Sequence, residues 1–208
     1  MILLVETGAQ SDVTAFVLAG GKSTRMGSDK AFLRWGEGTL LSQTLRIAAS
    51  VAREVRIVGD ARKFASFGQV VEDVYRDRGP LGGIHAALST TTSELNLVLA
   101  VDLPFVGTQF LEYLLSRARA SVATVTVPRA GSGLQPLCAA YRRRFAEVAA
   151  QSLREGKNRI DSLFTKDAAC VIEENELVRA GFSAEMFRNL NTPEDIELAK
   201  RVRPTTGS

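Results

Sequence analysis

Residues 16–30 read Phe16-Val17-Leu18-Ala19-Gly20-Gly21-Lys22-Ser23-Thr24-Arg25-Met26-Gly27-Ser28-Asp29-Lys30, an apolar strand running straight into paired glycines and three cations. A strand that ends this way presents close-lying main-chain N–H groups and positive charge to a polyphosphate. Arg25 and Lys30 offer that charge at two different points along the phosphate chain. Gly21-Lys22-Ser23 ends like a Walker A loop, but that motif requires a glycine five residues earlier, where Phe16 stands. The loop holds no G-x-G-x-x-G either.

Outward from this loop, apolar runs of strand length alternate with segments of helical period, the pattern of a mainly parallel sheet covered on both faces. The periodicity predicts strands at residues 14–18, 55–58, 69–72, 96–101, 122–127, 134–141 and 169–172. Helices are expected around Leu41, Leu45, Ala48 and Ala52, from Gly82 to Leu88, and over residues 109–118 and 145–153. Thr192 as N-cap, Pro193 at the first helical position and Asp195 at the third predict a last helix running to Val202. The phosphate loop and Asp102 then fall at the C-terminal ends of strands, where open α/β sheets bind ligands.

Asp102 follows the most apolar strand of the chain and precedes Leu103-Pro104-Phe105-Val106, with no acidic neighbour in sequence. A carboxylate so placed suits Mg²⁺, which takes oxygen ligands and bridges one or two carboxylates to substrate phosphates. The alternative is an aspartate capping the next helix. A second glycine loop, Gly79-Pro80-Leu81-Gly82-Gly83-Ile84, follows Glu72-Asp73; glycines at a helix start are expected to leave N–H donors exposed for a planar base.

The chain has 208 residues, 45% hydrophobic and 24% charged, enough for one compact unit, expected over residues 13–203 with flexible ends at 1–12 and 204–208. A net charge of +3 suits phosphorylated ligands and is too small to imply nucleic acid. Arg142-Arg143-Arg144 reads as the solvated face of a helix start. Cys138 and Cys170, without metal-ligand spacing, read as buried thiols of a reducing compartment. Met1-Ile2-Leu3-Leu4-Val5 is too short for a signal segment or a span, so a cytoplasmic chain without membrane attachment is expected. His85, the only histidine, and Trp35 are expected to pack rather than catalyse.

The opening loop resembles the signature L-A-G-G-x-S-x-R-M-G-x-D-K of the molybdenum cofactor guanylyltransferases. Asp102-Leu103-Pro104-Phe105, the Gly79–Gly83 loop, Leu134-Gln135-Pro136-Leu137 and Asn189-Leu190-Asn191-Thr192-Pro193-Glu194-Asp195 match further motifs of that family in the same order. The resemblance covers residues 14–200. It implies an α/β, single-domain, Rossmann-like nucleotidyltransferase fold with a mainly parallel central sheet, helices on both faces, a nucleotide-binding N-terminal half and a pterin-binding C-terminal half.

The resemblance also implies transfer of GMP from GTP to molybdopterin with release of pyrophosphate, assisted by Mg²⁺. Its partners would be GTP, the molybdenum cofactor and, transiently, cofactor-insertion proteins and molybdoenzymes. By position, Leu18, Ala19 and Gly20 would hold base and ribose through main-chain groups, while Gly21 and Arg25 would cradle the β- and γ-phosphates. Lys30 would meet the α-phosphate, Asp73 and Gly82 the nucleoside, and Asp102 the metal. Gln135 and Pro136 would face the pterin, and on the same side Asn189 and Asn191 the pterin phosphate or the metal. Arg25, Lys30 and Asp102 are thus the expected catalytic set.

This chain departs from the family at Glu37-Gly38-Thr39-Leu40, where G-K-P-L is frequent, and at Gly59, where an asparagine is often found. Two other readings stay open. Cytidylyl relatives usually read L-A-A-G, which Gly20 disfavours, and a non-catalytic nucleotide-binding paralogue would not need Arg25, Lys30 and Asp102 together.

Overall fold

The computed structural model describes residues 12–20, 29–75, 78–131, 133–190 and 195. Strand β1 (Val13–Leu18) is buried along its length and central. A hairpin follows, β2 (Arg34–Trp35) and β3 (Gly38–Thr39), which turns at Gly36 with φ of 58°. Helix α1 (Leu40–Ala49) starts where Thr39 and Ser42 exchange hydrogen bonds, Ser42 N–H to Thr39 Oγ1 at 3.2 Å and Thr39 N–H to Ser42 Oγ at 2.8 Å. Leu41, Leu45 and Ala48 lie in it as expected, whereas Ala52 is buried beyond its end.

Then come β4 (Glu54–Val58), the one-turn helix α2 (Ala61–Phe64), β5 (Gln69–Val71), α3 (Pro80–Ser89) and β6 (Leu95–Ala100). The rest is α4 (Thr108–Arg119), β7 (Val125–Ala130), β8 (Gly133–Leu134), β9 (Cys138–Arg142), α5 (Phe145–Arg154), β10 (Ala169–Ile172) and α6 (Glu174–Arg179).

The main sheet has the order β10-β7-β9-β6-β1-β4-β5, with β8 paired to β7. Strands β5, β4, β1 and β6 are parallel, as are β7 and β10; β9 runs antiparallel to both its neighbours. From β1 the chain builds outward through β4 and β5 and then crosses back to lay β6 on the other side of β1. The crevice beyond Leu18 and Ala100 is therefore a topological switch point, the place where such sheets bind ligands.

Alternate residues feed two cores. Val13, Ala15, Val17, Leu97 and Leu99 pack with α1 and α4 on one face. Val98, Val125 and Val127 pack with α3 and α5 on the other, where Phe16 meets Ala86 and Ala87. No helix among the described residues is long and apolar enough to cross a membrane.

Some expectations need correction. The strand expected over residues 134–141 is split at Pro136, and its second half is β9 alone. The strand expected from Val122 begins at Val125, because Val122 lies exposed in the preceding turn. Of the arginine run, Arg143 and Arg144 are exposed and Arg144 is the N-cap of α5, but Arg142 ends β9, and its guanidinium donates to the carbonyls of Ser121 (2.6 Å) and Ala123 (3.1 Å), pinning the α4–β7 turn. Cys138 is buried, but Cys170 is only half-buried because β10 is an edge strand. The expected last helix lies outside the described residues except for Asp195, which is helical.

Candidate functional site

At the end of β1 the chain bends across β4: the N–H groups of Ala19 and Gly20 both donate to the Val58 carbonyl, at 3.0 and 3.1 Å. The Leu18 carbonyl accepts from Val101 N–H at 3.2 Å, closing the neighbouring strand end. Ala19 and Gly20 thus cannot offer their N–H groups to a base, and any contact from them falls to their carbonyls. A Cβ at Gly20 would lie 3.5 Å from Gly59 Cα, ordinary contact, so glycine is not sterically required there.

Lys30 opens a short 3-10 turn over Lys30–Phe32, and Asp29 caps it by accepting Ala31 N–H at 3.2 Å. From that turn Lys30 Nζ reaches across to Asp102 Oδ2 at 3.7 Å. Asp102 stands just past β6, and its carbonyl accepts Leu190 N–H at 3.1 Å, which holds Asn189 and Leu190 against the same loop. Burial pushes the Asp102 carboxyl above the usual aspartate range, and the Lys30 ammonium partly restores it. The helix that follows, α4, has Gly107 as its N-cap and takes no side-chain cap, so the capping alternative is not what the structure contains.

Asp73 follows β5 and accepts Tyr75 N–H at 2.8 Å; burial raises its carboxyl too. The expectation of exposed donors at Gly82 and Gly83 is overturned. Both are buried, and Gly82 N–H donates to the Gly79 carbonyl at 3.2 Å. Their use is close packing: a Cβ at Gly82 would lie 2.6 Å from Asp73 Oδ2 and 2.9 Å from the Tyr75 carbonyl, while one at Gly83 would touch the Leu18 side chain at 3.5 Å. The start of α3 is thereby wedged between Asp73 and the end of β1.

On the other flank of β6, Ala100 N–H donates to the Leu137 carbonyl at 2.7 Å, setting the Gln135–Pro136 turn beside the Asp102 loop. Gln135 is half-buried with Nε2 turned to the Ala130 and Gly133 carbonyls, both at 3.4 Å, and the Pro136 carbonyl accepts from Tyr141 Oη at 2.8 Å. Asn189 is exposed and directly precedes Leu190, whose N–H bonds the Asp102 carbonyl. Gly21, Arg25 and Asn191 lie outside the described residues.

His85 is half-buried in α3, edge-on to Tyr75 at 5.1 Å, and burial lowers its pKa, as a packing residue's would be. Trp35 is buried and edge-on to Phe105 at 5.5 Å. The structure adds Arg188, whose guanidinium stacks 4.9 Å over Phe105 beside Asn189. It also adds Lys63, bonded to Asp29 at 2.9 Å. Arg188 could have been noticed as a cation adjoining a motif asparagine; Lys63 lies 34 positions from its partner and carries no local signal.

Gly59 is explained by packing: a Cβ there would lie 2.8 Å from the Phe64 ring. Among the described residues no cluster of three or more His, Cys, Asp or Glu could hold a metal. One carboxylate, Asp102, fits an ion such as Mg²⁺ that takes most of its ligands from substrate phosphates and water.

The model of a MobA-like NTP transferase domain matches residues 15–170. A molybdenum cofactor guanylyltransferase of Syntrophotalea carbinolica is 32% identical over 93% of this chain and 93% of its own. The structure superposes on the molybdopterin-guanine dinucleotide biosynthesis protein A of Archaeoglobus fulgidus with a TM-score of 0.78 at 24% identity, covering 91% of this chain and 97% of that one. It also superposes on the 2-C-methyl-D-erythritol 4-phosphate cytidylyltransferase of Thermus thermophilus, TM-score 0.65 at 18% identity, covering 90% and 96%. The fold is thus shared by enzymes that handle different bases.

Proposed function

The chain belongs to the MobA-like NTP transferases and is a nucleotidyltransferase of the molybdenum cofactor guanylyltransferase family, and from that premise we propose that it transfers GMP from GTP to molybdopterin. The observation that carries the reading is the Lys30–Asp102 pair, 3.7 Å apart at the β1/β6 switch point. It sets one cation and one metal-binding carboxylate where a nucleoside triphosphate would cross the sheet edge.

In this reading the terminal phosphate oxygen of molybdopterin attacks the α-phosphorus of GTP in line. A new P–O bond forms, the bond from the α-phosphorus to the bridging oxygen breaks, and pyrophosphate leaves with the electron pair. Lys30 moves from Asp102 to the α-phosphate oxygens and neutralises the charge that builds there. Asp102, freed and ionised, would hold Mg²⁺, which supplies charge neutralisation along the triphosphate. Gly21 and Arg25 take the β- and γ-phosphates, and Asp73 faces the nucleoside. The carbonyls of Ala19 and Gly20 suit the N1–H and amino donors of guanine. Gln135, Pro136, Asn189 and Asn191 line the acceptor side.

The test is to supply molybdopterin, Mg²⁺ and either GTP or CTP, and to follow both pyrophosphate release and dinucleotide formation. GTP is expected to be the substrate. Equal or faster turnover of CTP would sink the guanine assignment while leaving the nucleotidyltransferase.

A further inference from the structure

We propose that Lys63 is a positioning residue for Lys30, acting through the Asp29 carboxylate; the inference rests on the role just given to Lys30. The Asp29 carboxylate is divided between two jobs. One oxygen caps the turn that Lys30 opens, accepting Ala31 N–H at 3.2 Å, and the other accepts from Lys63 Nζ at 2.9 Å. Lys63 lies in α2, so the turn carrying Lys30 is tied to the segment that follows β4.

The same segment holds the other side of the site. Val58, the last residue of β4, accepts both the Ala19 and Gly20 N–H groups, and Phe64 of α2 fills the space that a side chain at Gly59 would need. Phe64 also stacks on Phe32, the last residue of the 3-10 turn, with ring centroids 5.6 Å apart, and Phe32 in turn meets Phe67 at 5.7 Å. Residues 58–64 therefore grip the Ala19–Gly20 main chain and the Lys30 turn at once.

The division of labour follows from burial. Phe64 is buried and fixes where the turn sits, while the Lys63–Asp29 pair, with Lys63 half-exposed, fixes how the capped turn is rotated. The Asp29 bond raises the Lys63 pKa, which keeps the ammonium charged across the working range. Lys30 must span to Asp102 from a turn of only three residues, so a small rotation of that turn displaces its ammonium from the reacting phosphate.

The experiment compares Lys63→Ala, Lys63→Arg, Lys30→Ala and the double alanine variant, each by steady-state kinetics with the nucleotide that the wild type transfers and by thermal melting. Lys63→Ala is expected to lower kcat by about 5- to 10-fold with KM for the nucleotide changed by less than about twofold. Its melting midpoint should move by no more than about 2 °C, since Lys63 is half-exposed. Lys63→Arg should restore most of the rate, and Lys63→Ala should cost nothing further in the Lys30→Ala background.

Wild-type turnover in Lys63→Ala would overturn the inference, as would a loss of equal size in the Lys30→Ala background. A wild type that transfers no nucleotide would instead sink the function proposed above. The ammonium NMR signal of Lys30 then still decides the coupling without substrate. It should shift in Lys63→Ala and return in Lys63→Arg, and a signal unmoved by either substitution overturns the inference.

Discussion

Asp102 is held in an environment that opposes its own ionisation. Burial raises its carboxyl, and the Lys30 ammonium and a main-chain N–H only partly offset that. A carboxyl with a raised folded pKa contributes stability below the ordinary aspartate value and loses that contribution as pH rises through the folded value. At neutral pH the ionised side chain is thus a cost to folding, which the proposed role of Asp102 as a metal ligand would account for. Asp102→Asn is expected to leave the melting midpoint at pH 7 nearly unchanged and to lower transfer by a factor on the order of a hundred or more at saturating Mg²⁺. Full activity in that variant would remove Asp102 as the principal metal ligand. The same linkage predicts that wild-type activity falls on acidification at a pH above the usual aspartate range, and that the residual rate of Asp102→Asn lacks this limb.

Lys30 supports a complementary prediction. In the resting site it lies 3.7 Å from the Asp102 carboxylate, and its proposed work is on charge that develops at the α-phosphate. Lys30→Ala should therefore lower kcat more than it weakens GTP binding, a split that single-turnover rates beside calorimetric titration would read. A loss confined to GTP affinity would show that Lys30 serves the ground state only.

At the scale of elements, the adjacent glycines of α3 separate what a sequence shows from what a fold uses. Gly82-Gly83 at a helix start reads as a pair of donors because glycine exposes backbone, but here each glycine admits a neighbour. Gly82 admits the Asp73 carboxylate and the Tyr75 carbonyl, and Gly83 admits Leu18. The two should respond in opposite ways to the same methyl group. Gly82→Ala must displace Asp73 and should destabilise by about 1–3 kcal/mol. Gly83→Ala meets only ordinary contact and gains helix propensity, so its stability should hold or rise by up to about 1 kcal/mol. Chemical denaturation of both variants checks the pair, and equal losses would contradict the packing described. Contacts of this kind, like Phe64 against Gly59 or Lys63 against Asp29, join positions whose local patterns are unrelated. The strands and the order of helices, by contrast, were legible because β1 and β6 are nearly continuous apolar runs, broken only by Thr14 and Asn96, and the helices carry a regular stripe. The antiparallel insertion of β9 was not, since periodicity fixes which face a strand buries and not its direction.

For the whole molecule, the placement of the site follows from one crossover. Because the chain turns from β5 back to β6 across β1, Leu18 and Asp102 share an edge although they lie far apart in sequence, and Lys30 reaches Asp102 there. Among the described residues that edge gathers no group of three or more His, Cys, Asp or Glu, and Asp102 is the carboxylate that faces Lys30 there. A lone carboxylate already facing an ammonium binds a divalent ion weakly, whereas the same ion bridged to a triphosphate gains the phosphate oxygens as ligands. Metal and nucleotide should therefore bind as a coupled pair. Mg²⁺ alone is expected to leave the melting midpoint nearly unchanged, and GTP with excess chelator to raise it only slightly. GTP and Mg²⁺ together, at about a hundred times the dissociation constant, should add about 2.7 kcal/mol, or roughly 5–10 °C for a chain of this size. Asp102→Asn should abolish most of the difference that Mg²⁺ makes to GTP. A large shift from Mg²⁺ alone would mean that the ion has a resident site of its own, and the single-carboxylate account of this edge would fail.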